Sequence, residues 1–246
     1  MQTDEKTPIL HVEETDSTNL AIRRLAEEGA ADGTVLWASR QTAGRGRLGR
    51  GFASPEGGLY LSMLLRQSAE PARDLSLTPA AAVAAARTLR QGCALDCGIK
   101  WPNDLLAGGK KICGILCESF AARGTRWVVL GLGLNVNTES FPPELREIAV
   151  SARQLTGRTT PLPALAERLA MELRTAARAA REGNDALLTE YRRLCVSTGR
   201  EVLLLREGEG RPAFALSVND DYSLRVRLPD GTEENVRFGE VSLRSL

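Results

Sequence analysis

The pattern of hydrophobic runs changes at Thr198-Gly199, and this change constrains the fold more than any other feature of the chain. Before that point, strand-like apolar runs alternate with helix-like segments, which is typical of a domain that mixes helices with a sheet. After it, short β runs are separated by turn signals such as Pro229-Asp230-Gly231. We therefore predict a larger domain over residues 1–198 and a small β-barrel over residues 199–246.

Turn and cap signals divide both parts into elements. In the larger part the predicted strands are Ile9–Val12, Val35–Ser39, Leu59–Leu65, Gly98–Trp101, Ile112–Phe120 and Trp127–Asn135, and the predicted helices cover 17–28, 78–92, 162–181 and 185–196. In the small part the predicted strands are Val202–Leu205, Ala213–Val218, Ser223–Leu228 and Asn235–Phe238. Gly108-Gly109 is predicted to form the hairpin turn between the fourth and fifth strands.

A loop rich in glycine and arginine follows the second predicted strand. In Gly44-Arg45-Gly46-Arg47-Leu48-Gly49-Arg50, glycines alternate with three arginines within seven residues. Glycine lets backbone amides approach and point at an oxyanion, and arginine adds a permanently charged planar donor that suits phosphate or carboxylate. We therefore predict that this loop binds an anion, a solvated basic loop being the alternative.

Two common nucleotide-binding motifs do not fit the chain. Gly44, Gly46 and Gly49 satisfy the spacing G-x-G-x-x-G, but that fingerprint needs a helix after the loop, and the residues 51–58 contain proline and three glycines. Gly108-Gly109-Lys110-Lys111 lacks both the earlier glycine and the Ser or Thr of a phosphate-binding P-loop.

Composition excludes several kinds of partner. With 32 Lys and Arg against 31 Asp and Glu, the formal net charge is +1, so no polybasic face indicates nucleic acid as a partner. No apolar run approaches the roughly 18 residues that a membrane span requires. We therefore expect a cytoplasmic protein that contacts no membrane.

The cysteines and the single histidine restrict the chemistry. Five cysteines, an odd number, fit a reducing compartment better than a disulfide framework. Cys93 with Cys97 and Cys113 with Cys117 form two spaced pairs, but the second pair lies in a predicted strand, where cysteine behaves as a small buried hydrophobe. We expect no metal site. Because His11 is the only histidine, a catalytic histidine pair is excluded and a Ser-His triad is disfavoured.

Three further segments bring polar groups and glycines to strand ends. Lys100-Trp101-Pro102-Asn103-Asp104 ends the fourth predicted strand, and Lys111-Ile112-Cys113-Gly114-Ile115-Leu116 begins the fifth. Gly131-Leu132-Gly133-Leu134-Asn135 ends the sixth. A glycine inside a strand, such as Gly114, indicates a ligand that lies against the backbone. Three of the chain's four lysines lie at 100, 110 and 111, which indicates that ammonium groups are needed there.

The order of these segments resembles that of the biotin protein ligases over nearly the whole chain. Ser17-Thr18-Asn19, Gln41 and Gly239-Glu240-Val241-Ser242-Leu243-Arg244 belong to the same resemblance. It implies an α+β fold in which a mixed sheet is flanked by helices, as in class II aminoacyl-tRNA synthetases, and is followed by a small SH3-like β-barrel. It also implies an enzyme that uses ATP and Mg²⁺ to convert biotin to biotinyl-5'-AMP and pyrophosphate. The biotin then passes to one lysine of a biotin carboxyl carrier domain.

The resemblance assigns binding residues by their positions in these motifs. The residues implied for biotin are Ser17, Thr18, Asn19, Gln41, Arg45, Gly46, Arg47, Lys111, Gly114 and Gly131. Those implied for ATP or the adenylate are Arg47, Arg50, Phe52, Lys100, Trp101, Asn103 and Asn135, with Gly133 letting the ligand approach the sheet. Phe52 stands where the family often has tryptophan, so the contact with adenine differs at this position.

The implied catalytic residues are Lys111, Arg45, Arg47 and Asp104. A carboxylate is already ionised at pH 7, so its attack on the α-phosphate needs charge neutralisation and alignment, which the lysine and the arginines would supply. An acceptor lysine must instead lose a proton before it attacks the adenylate. Asp104 either assists that step or only caps the turn after Pro102.

Regulatory members of the family carry an N-terminal winged helix, whereas the resemblance here begins close to the N-terminus. We therefore expect the single-function type, with no nucleic-acid partner and with a monomer or weak homodimer in solution. Two alternatives remain. One is a lipoate-protein ligase-like acyl-adenylating transferase, and the other is a non-catalytic binding protein with a ligase-like domain.

Overall fold

The computed structural model describes residues 7–206, 209–237 and 239–243. The strands of the first sheet are β1 (Ile9–Thr15), β2 (Val35–Gln41), β3 (Leu59–Arg66), β4 (Gly98–Lys100), β5 (Asp104–Ala107), β6 (Lys110–Ala122) and β7 (Thr125–Leu134). The helices are α1 (Thr18–Glu28), α2 (Leu77–Cys93), α3 (Ala152–Thr156), α4 (Leu162–Arg181) and α5 (Asp185–Leu194). The strands of the second sheet are β8 (Arg200–Arg206), β9 (Glu209–Val218), β10 (Leu224–Arg227), β11 (Glu233–Val236) and β12 (Glu240–Ser242).

The first sheet is mixed and has the strand order β1-β2-β3-β7-β6-β5-β4. β1 and β2 are parallel because α1 connects them, and the other neighbouring strands are antiparallel. α1 ends at Gly29, whose φ of 101° is a left-handed conformation that favours glycine. Antiparallel pairing brings the end of β4, the starts of β5 and β6 and the end of β7 to one edge of the sheet, where the candidate site lies.

Alternating side chains of the sheet pack against helices on both faces. Leu36 and Leu64 face α1 and pack with Ile22, whereas Val35 and Met63 face the opposite side. On that second face α2 packs against the sheet and α4, and its residues from Pro79 to Ala86 are all buried. Alanine permits this close approach of helix and sheet. The two-layered core holds the strands of the site in a fixed register.

The second sheet has the order β11-β10-β9-β8-β12 and is entirely antiparallel. Its buried face joins the core of the larger part through residues such as Val202, Ala215 and Val226. Trp101 lies between the two parts, is 2% exposed, and donates its indole N–H to the Tyr222 carbonyl over 2.9 Å. The predicted mixed sheet with flanking helices and the additional β sheet are confirmed. The boundary at residues 198 and 199 stays a prediction.

Each predicted helix and strand is present, with ends shifted by a few residues. The hairpin assignment was wrong, because Gly108-Gly109 joins β6 to β5, a strand that the sequence did not predict. β5 is only four residues long, and the polar turn at Trp101 to Asn103 separates it from β4. The last predicted strand lies two residues earlier, at Glu233–Val236, and its predicted end, Phe238, is outside the described residues, as is Arg244.

Two short elements were also not predicted. α3 begins at a capping box in which Ser151 accepts a hydrogen bond from the Gln154 amide and the Gln154 side chain accepts one from the Ser151 amide. The spacing S-x-x-Q is the sequence signal that indicates this helix. β12 pairs with β8 through three residues only. In the described ranges, no helix is long and apolar enough to cross a membrane.

Candidate active site

One pocket, at the edge where the strand ends meet, gathers nearly all of the predicted site residues. It lies between the start of α1, the glycine and arginine loop, the ends of β4 to β7, and β12. The predicted residues that line it are Ser17, Thr18, Asn19, Gln41, Arg45, Gly46, Arg47, Arg50, Phe52, Lys100, Trp101, Asn103, Asp104, Lys111, Gly114, Gly131 and Gly133. Their placement in one pocket is an observation, and their individual roles stay predictions.

Gln41 forms hydrogen bonds both with the start of α1, at Thr18, and with Ser54, which follows the glycine and arginine loop. Its side-chain oxygen accepts hydrogen bonds from the Thr18 amide (2.8 Å) and hydroxyl (3.2 Å). Its side-chain amide donates to Ser54 Oγ (2.7 Å), and Ser54 in turn donates to the Phe52 carbonyl (2.9 Å). Gln41 therefore links one wall of the pocket to the segment that closes the loop. Ser17 is the N-cap residue of α1, but its side chain makes no capping hydrogen bond.

Asn19 lies flat against β7. A Cβ atom on Gly131 would lie 2.0 Å from Asn19 Oδ1, so only glycine leaves room for this side chain. Ser62 Oγ donates to Asn19 Oδ1 (2.7 Å), and Asn19 Nδ2 donates to Glu118 Oε2 (2.8 Å). Sequence reasoning missed Glu118 and Ser62. Glu118 follows Gly114 at an even spacing in β6, so the alternation of side chains along a strand was the available signal.

The glycine and arginine loop folds back on itself. The amide of Gly46 donates to the Arg50 carbonyl (2.8 Å), and the amide of Phe52 donates to the Gly44 carbonyl (2.8 Å). A Cβ on Gly44 would lie 2.4 Å from the Phe52 carbonyl oxygen, so the loop closes only because residue 44 has no side chain. Leu48 at its tip is 77% exposed and has a φ of 55°. No helix follows the loop, in agreement with the rejection of the dinucleotide fingerprint.

The ring of Phe52 covers Gly114 and Gly133, two of the three glycines that were expected to admit a ligand, and Asn19 covers the third, Gly131. A Cβ on Gly133 would lie 2.4 Å from the ring, and a Cβ on Gly114 would lie 2.9 Å from it. Lys111 Nζ lies 5.6 Å from the ring centroid, within the range of a cation–π contact. An aromatic face, an ammonium group and glycine backbone thus meet at one place, an arrangement suited to a planar ring next to a negative charge.

Lys111 forms an ion pair that was not predicted. Its Nζ lies 2.7 Å from Asp104 Oδ1, and the two side chains are 34% and 17% exposed. Arg47 Nη1 donates to Asn103 Oδ1 (3.0 Å), and Asn103 Nδ2 donates to the Ile115 carbonyl (2.9 Å). The last residue of the turn, Asn103, and the first residue of β5, Asp104, therefore each supply a partner for one of these cations and hold both beside the pocket.

Asn135 is the one predicted site residue that does not line the pocket. It is 3% exposed, and its side-chain amide donates to the Lys111 carbonyl over 3.3 Å. Its Oδ1 is buried and has no hydrogen-bond partner among the described residues. In this structure Asn135 supports the backbone at the start of β6, and its predicted contact with adenine stays a prediction.

The second sheet contributes to the pocket through Glu240 and Val241. Glu240, which is 18% exposed, pairs with Arg50 of the loop. Within the described ranges, no three His, Cys, Asp or Glu side chains form a group that could hold a metal ion. Arg45, Arg47, Arg50, Lys100 and Lys111 supply positive charge to the lining of the pocket.

Comparison with known proteins gives a consistent result. The sequence model of the biotin/lipoate A/B protein ligase family matches residues 12–135 of this chain. A bifunctional ligase/repressor BirA of Bacillus spizizenii is 40% identical over 153 residues, which is 61% of this chain but only 47% of that protein. The chain thus spans about half the length of this relative. A biotin (acetyl-CoA-carboxylase) ligase of Mycobacterium tuberculosis is 35% identical over 220 residues, covering 87% of this chain and 80% of that protein.

A solved structure of biotin protein ligase from Aquifex aeolicus, in complex with biotin and ATP, matches with a TM-score of 0.81 and 27% identity. The match covers 95% of this chain and 97% of that one, so it includes both sheets. The sequence match to the Mycobacterium tuberculosis ligase and the structural match to the Aquifex aeolicus ligase thus each cover most of this chain. This chain belongs to the biotin/lipoate A/B protein ligase family.

Proposed function

We propose that this protein is a biotin protein ligase that activates biotin with ATP and transfers it to a carrier domain. The observation that carries the proposal is that Lys111, Arg45 and Arg47 line one pocket together with a polar wall and glycine backbone. Such a pocket suits an acid that is joined to a phosphoryl group, since it supplies cations and close backbone approach without a histidine. The relatives named as biotin ligases support the choice of acid.

In the first step the biotin carboxylate attacks the α-phosphorus of ATP, and pyrophosphate leaves. The carboxylate is already ionised, so the protein needs to align it and to offset negative charge rather than remove a proton. We assign this role to Lys111 and Arg47. Both are held next to the pocket by neighbouring residues, Asp104 at the start of β5 and Asn103 just before it, which reduces the reorganisation needed when an anion enters.

Mg²⁺ enters this proposal together with ATP. The two carboxylates of the pocket, Asp104 and Glu240, are each paired with a cation at 2.7 and 2.8 Å. Phosphate oxygens are the usual partners of Mg²⁺ in nucleotide sites, and they would hold the ion here. What the ion supplies is neutralisation of the triphosphate.

In the second step the amine of an acceptor lysine attacks the adenylate carbonyl, AMP leaves, and an amide forms. The amine must first lose a proton. Asp104 is the carboxylate we assign to this step. When Lys111 turns to the adenylate phosphate, Asp104 loses its ion-pair partner and becomes able to accept a hydrogen bond from the incoming ammonium group.

We further propose a carboxylase carrier domain as the acceptor, a cytoplasmic location, no nucleic-acid partner for this chain, and a monomer or weak homodimer. The Mycobacterium tuberculosis relative is named for acetyl-CoA carboxylase, which supports the choice of acceptor. The five cysteines are free thiols, which supports a reducing compartment. The formal charge of +1 supports the absence of nucleic-acid binding.

The test is transfer to a purified biotin carboxyl carrier domain, with ATP and Mg²⁺ and with either biotin or lipoate. We expect one lysine of the domain to gain the mass of biotin, and no lipoyl product. Labelling by lipoate in preference to biotin would favour the lipoate-ligase alternative. Binding of biotin without any transfer would favour the non-catalytic alternative. A carrier domain whose acceptor lysine is replaced by arginine is the control.

A further inference from the structure

Glu118 is a charged residue beside the pocket to which none of the sequence motifs assigns a role. It lies in β6 and has a register partner, Val129, in β7. Its side chain is only 21% exposed, whereas glutamate side chains in proteins are mostly exposed to solvent. The structure instead turns the carboxylate towards α1 and the glycine and arginine loop.

The first contact fixes the orientation of a predicted biotin residue. Asn19 Nδ2 donates to Glu118 Oε2 (2.8 Å), while Asn19 Oδ1 accepts from Ser62 Oγ (2.7 Å). An ionised carboxylate accepts hydrogen bonds and cannot donate them. The side-chain amide of Asn19 must therefore turn its nitrogen to Glu118 and its oxygen to Ser62, and Glu118 determines which way round the amide stands.

The second contact reaches the loop. Glu118 Oε1 lies 3.6 Å from Arg45 Nη1, whose side chain is 41% exposed. An ion pair of this exposure contributes little to stability. The pair matters instead for the positions of the side chains, because one carboxylate contacts both Asn19 in the pocket wall and Arg45 in the loop. The two oxygens of Glu118 are thus divided between the two predicted walls of the biotin subsite.

We propose that Glu118 is a positioning residue for biotin, acting through Asn19 and Arg45. The inference rests on the proposed function. Without the carboxylate, Asn19 keeps only its bond to Ser62 and can rotate, so that it presents the wrong polarity to the ligand for part of the time. Arg45 loses the partner that holds it beside the same wall. Glu118 does not touch the reacting atoms, and its removal affects the binding of biotin rather than the chemical step.

The experiment measures biotin-dependent exchange of labelled pyrophosphate into ATP for the full chain and three variants. Glu118→Ala removes both contacts. Glu118→Gln keeps an oxygen that accepts from Asn19 but loses the charge opposite Arg45. Glu139→Ala is the matched control, because Glu139 forms a surface pair with Arg153 (2.6 Å) and does not line the pocket. The Kd for biotin alone, by calorimetry, and the melting temperature complete the set.

For Glu118→Ala we expect the KM and Kd for biotin to rise about tenfold, as when a buried polar group of the ligand faces an Asn19 amide that no longer presents the matching hydrogen-bonding atom. The KM for ATP, kcat and the melting temperature should stay near those of the parent protein. Glu118→Gln should recover most of the loss in biotin affinity. Glu139→Ala should match the parent protein in every measurement.

Unchanged biotin affinity in Glu118→Ala would overturn the proposal. So would a loss of kcat with normal biotin affinity, or unfolding of both Glu118 variants, since either result would give Glu118 another role. Absence of exchange in the parent protein would contradict the proposed function but not the calorimetric prediction. Absence of biotin binding in the parent protein would contradict both.

Discussion

Arg50 Nη1 lies 2.8 Å from Glu240 Oε2 and 3.0 Å from Glu240 Oε1, so the glycine and arginine loop is joined directly to the second sheet. The two residues are 190 positions apart in the chain. Arg50 is 64% exposed and Glu240 is 18% exposed. The small sheet therefore forms one wall of the pocket through β12, rather than standing apart from the site.

From the ion pair between Arg50 and Glu240 we predict that substitutions at these two positions have non-additive effects on kcat/KM. An ion pair with one exposed partner contributes about 0.5–1 kcal/mol, so Glu240→Ala should lower kcat/KM for ATP roughly twofold to fivefold. In an Arg50→Ala background, Glu240→Ala should have no further effect, because its partner is gone. Exchange kinetics of the four proteins in this double-mutant cycle measure the coupling. Glu233→Ala, which breaks exposed pairs in the same sheet, is the control, and additive effects would contradict the prediction.

Arg47→Gly is predicted to release the adenylate. Arg47 Nη1 is anchored to Asn103 and faces the pocket, so its loss removes a cation that would retain the bound phosphate. Free biotinyl-5'-AMP then reacts with lysines of unrelated proteins, which mass spectrometry of an added bystander protein detects. Leu48→Gly is the matched control, since it adds a glycine at a position with φ of 55° but keeps all three arginines. Labelling confined to the carrier domain by Arg47→Gly would show that Arg47 does not retain the intermediate.

Gly44→Ala is predicted to impair loop closure, whereas Gly51→Ala is not. A Cβ at residue 44 would lie 2.4 Å from both the Phe52 carbonyl oxygen and Ser54 Oγ, whereas no atom of the part of the chain that the structure describes lies within 4 Å of a Cβ at residue 51. Overpacking of this kind typically costs about 1–3 kcal/mol, so Gly44→Ala should weaken biotin binding roughly tenfold to a hundredfold. Calorimetry with biotin compares the two variants. Equal affinities would mean that the loop need not take this shape to bind biotin.

The cysteine thiols are predicted to be unreactive at neutral pH. Burial raises the pKa of Cys97 and Cys117 to about 12, and it raises the pKa of Cys93, Cys113 and Cys195 as well. A thiol whose pKa is raised by folding stabilises the protein below its unfolded pKa, about 8.5, and loses that contribution as the pH rises through the folded pKa. Resistance to urea should therefore fall between about pH 8.5 and 12.

At pH 8, iodoacetamide should label the native protein far more slowly than the urea-unfolded protein. Rapid labelling of any one buried cysteine in the native state would contradict this.

Local signals predicted most of the fold. The cap at Gly29, the alanine-rich helix α2 and the alternation of apolar residues along the strands each depend on neighbours in the sequence, and each appears in the structure. β5 was missed because four residues between two turns do not establish a strand pattern. The predicted helices and strands otherwise differ from the structure mainly at their ends, which depend on tertiary packing.

The motifs of the candidate site were also visible in the sequence, but the pairs between them were not. Glycine and arginine in one loop indicate anion binding from local composition alone. The contacts of Asn19 with Glu118, of Lys111 with Asp104 and of Arg50 with Glu240 join different elements. No local pattern in a single sequence encodes such contacts, because they arise only when the sheet register is set. The position of Asn135 was likewise not predictable from the sequence, since its contact with the Lys111 backbone depends on the pairing of β6 with β7.

Pyrophosphate exchange by Lys111→Ala and Lys110→Ala tests whether Lys111 acts on the reacting phosphate of a biotin ligase. Lys111 faces the pocket beside Asp104, whereas Lys110 pairs with Glu147 and donates to the Arg146 carbonyl. Loss of a charge-assisted contact to the reacting phosphoryl group costs about 3 kcal/mol, or roughly a hundredfold in rate. We predict that the parent protein and Lys110→Ala exchange labelled pyrophosphate into ATP only when biotin is present, and that Lys111→Ala is about a hundredfold slower or more while still folded. Exchange that does not depend on biotin, or near-normal exchange by Lys111→Ala, would contradict this prediction.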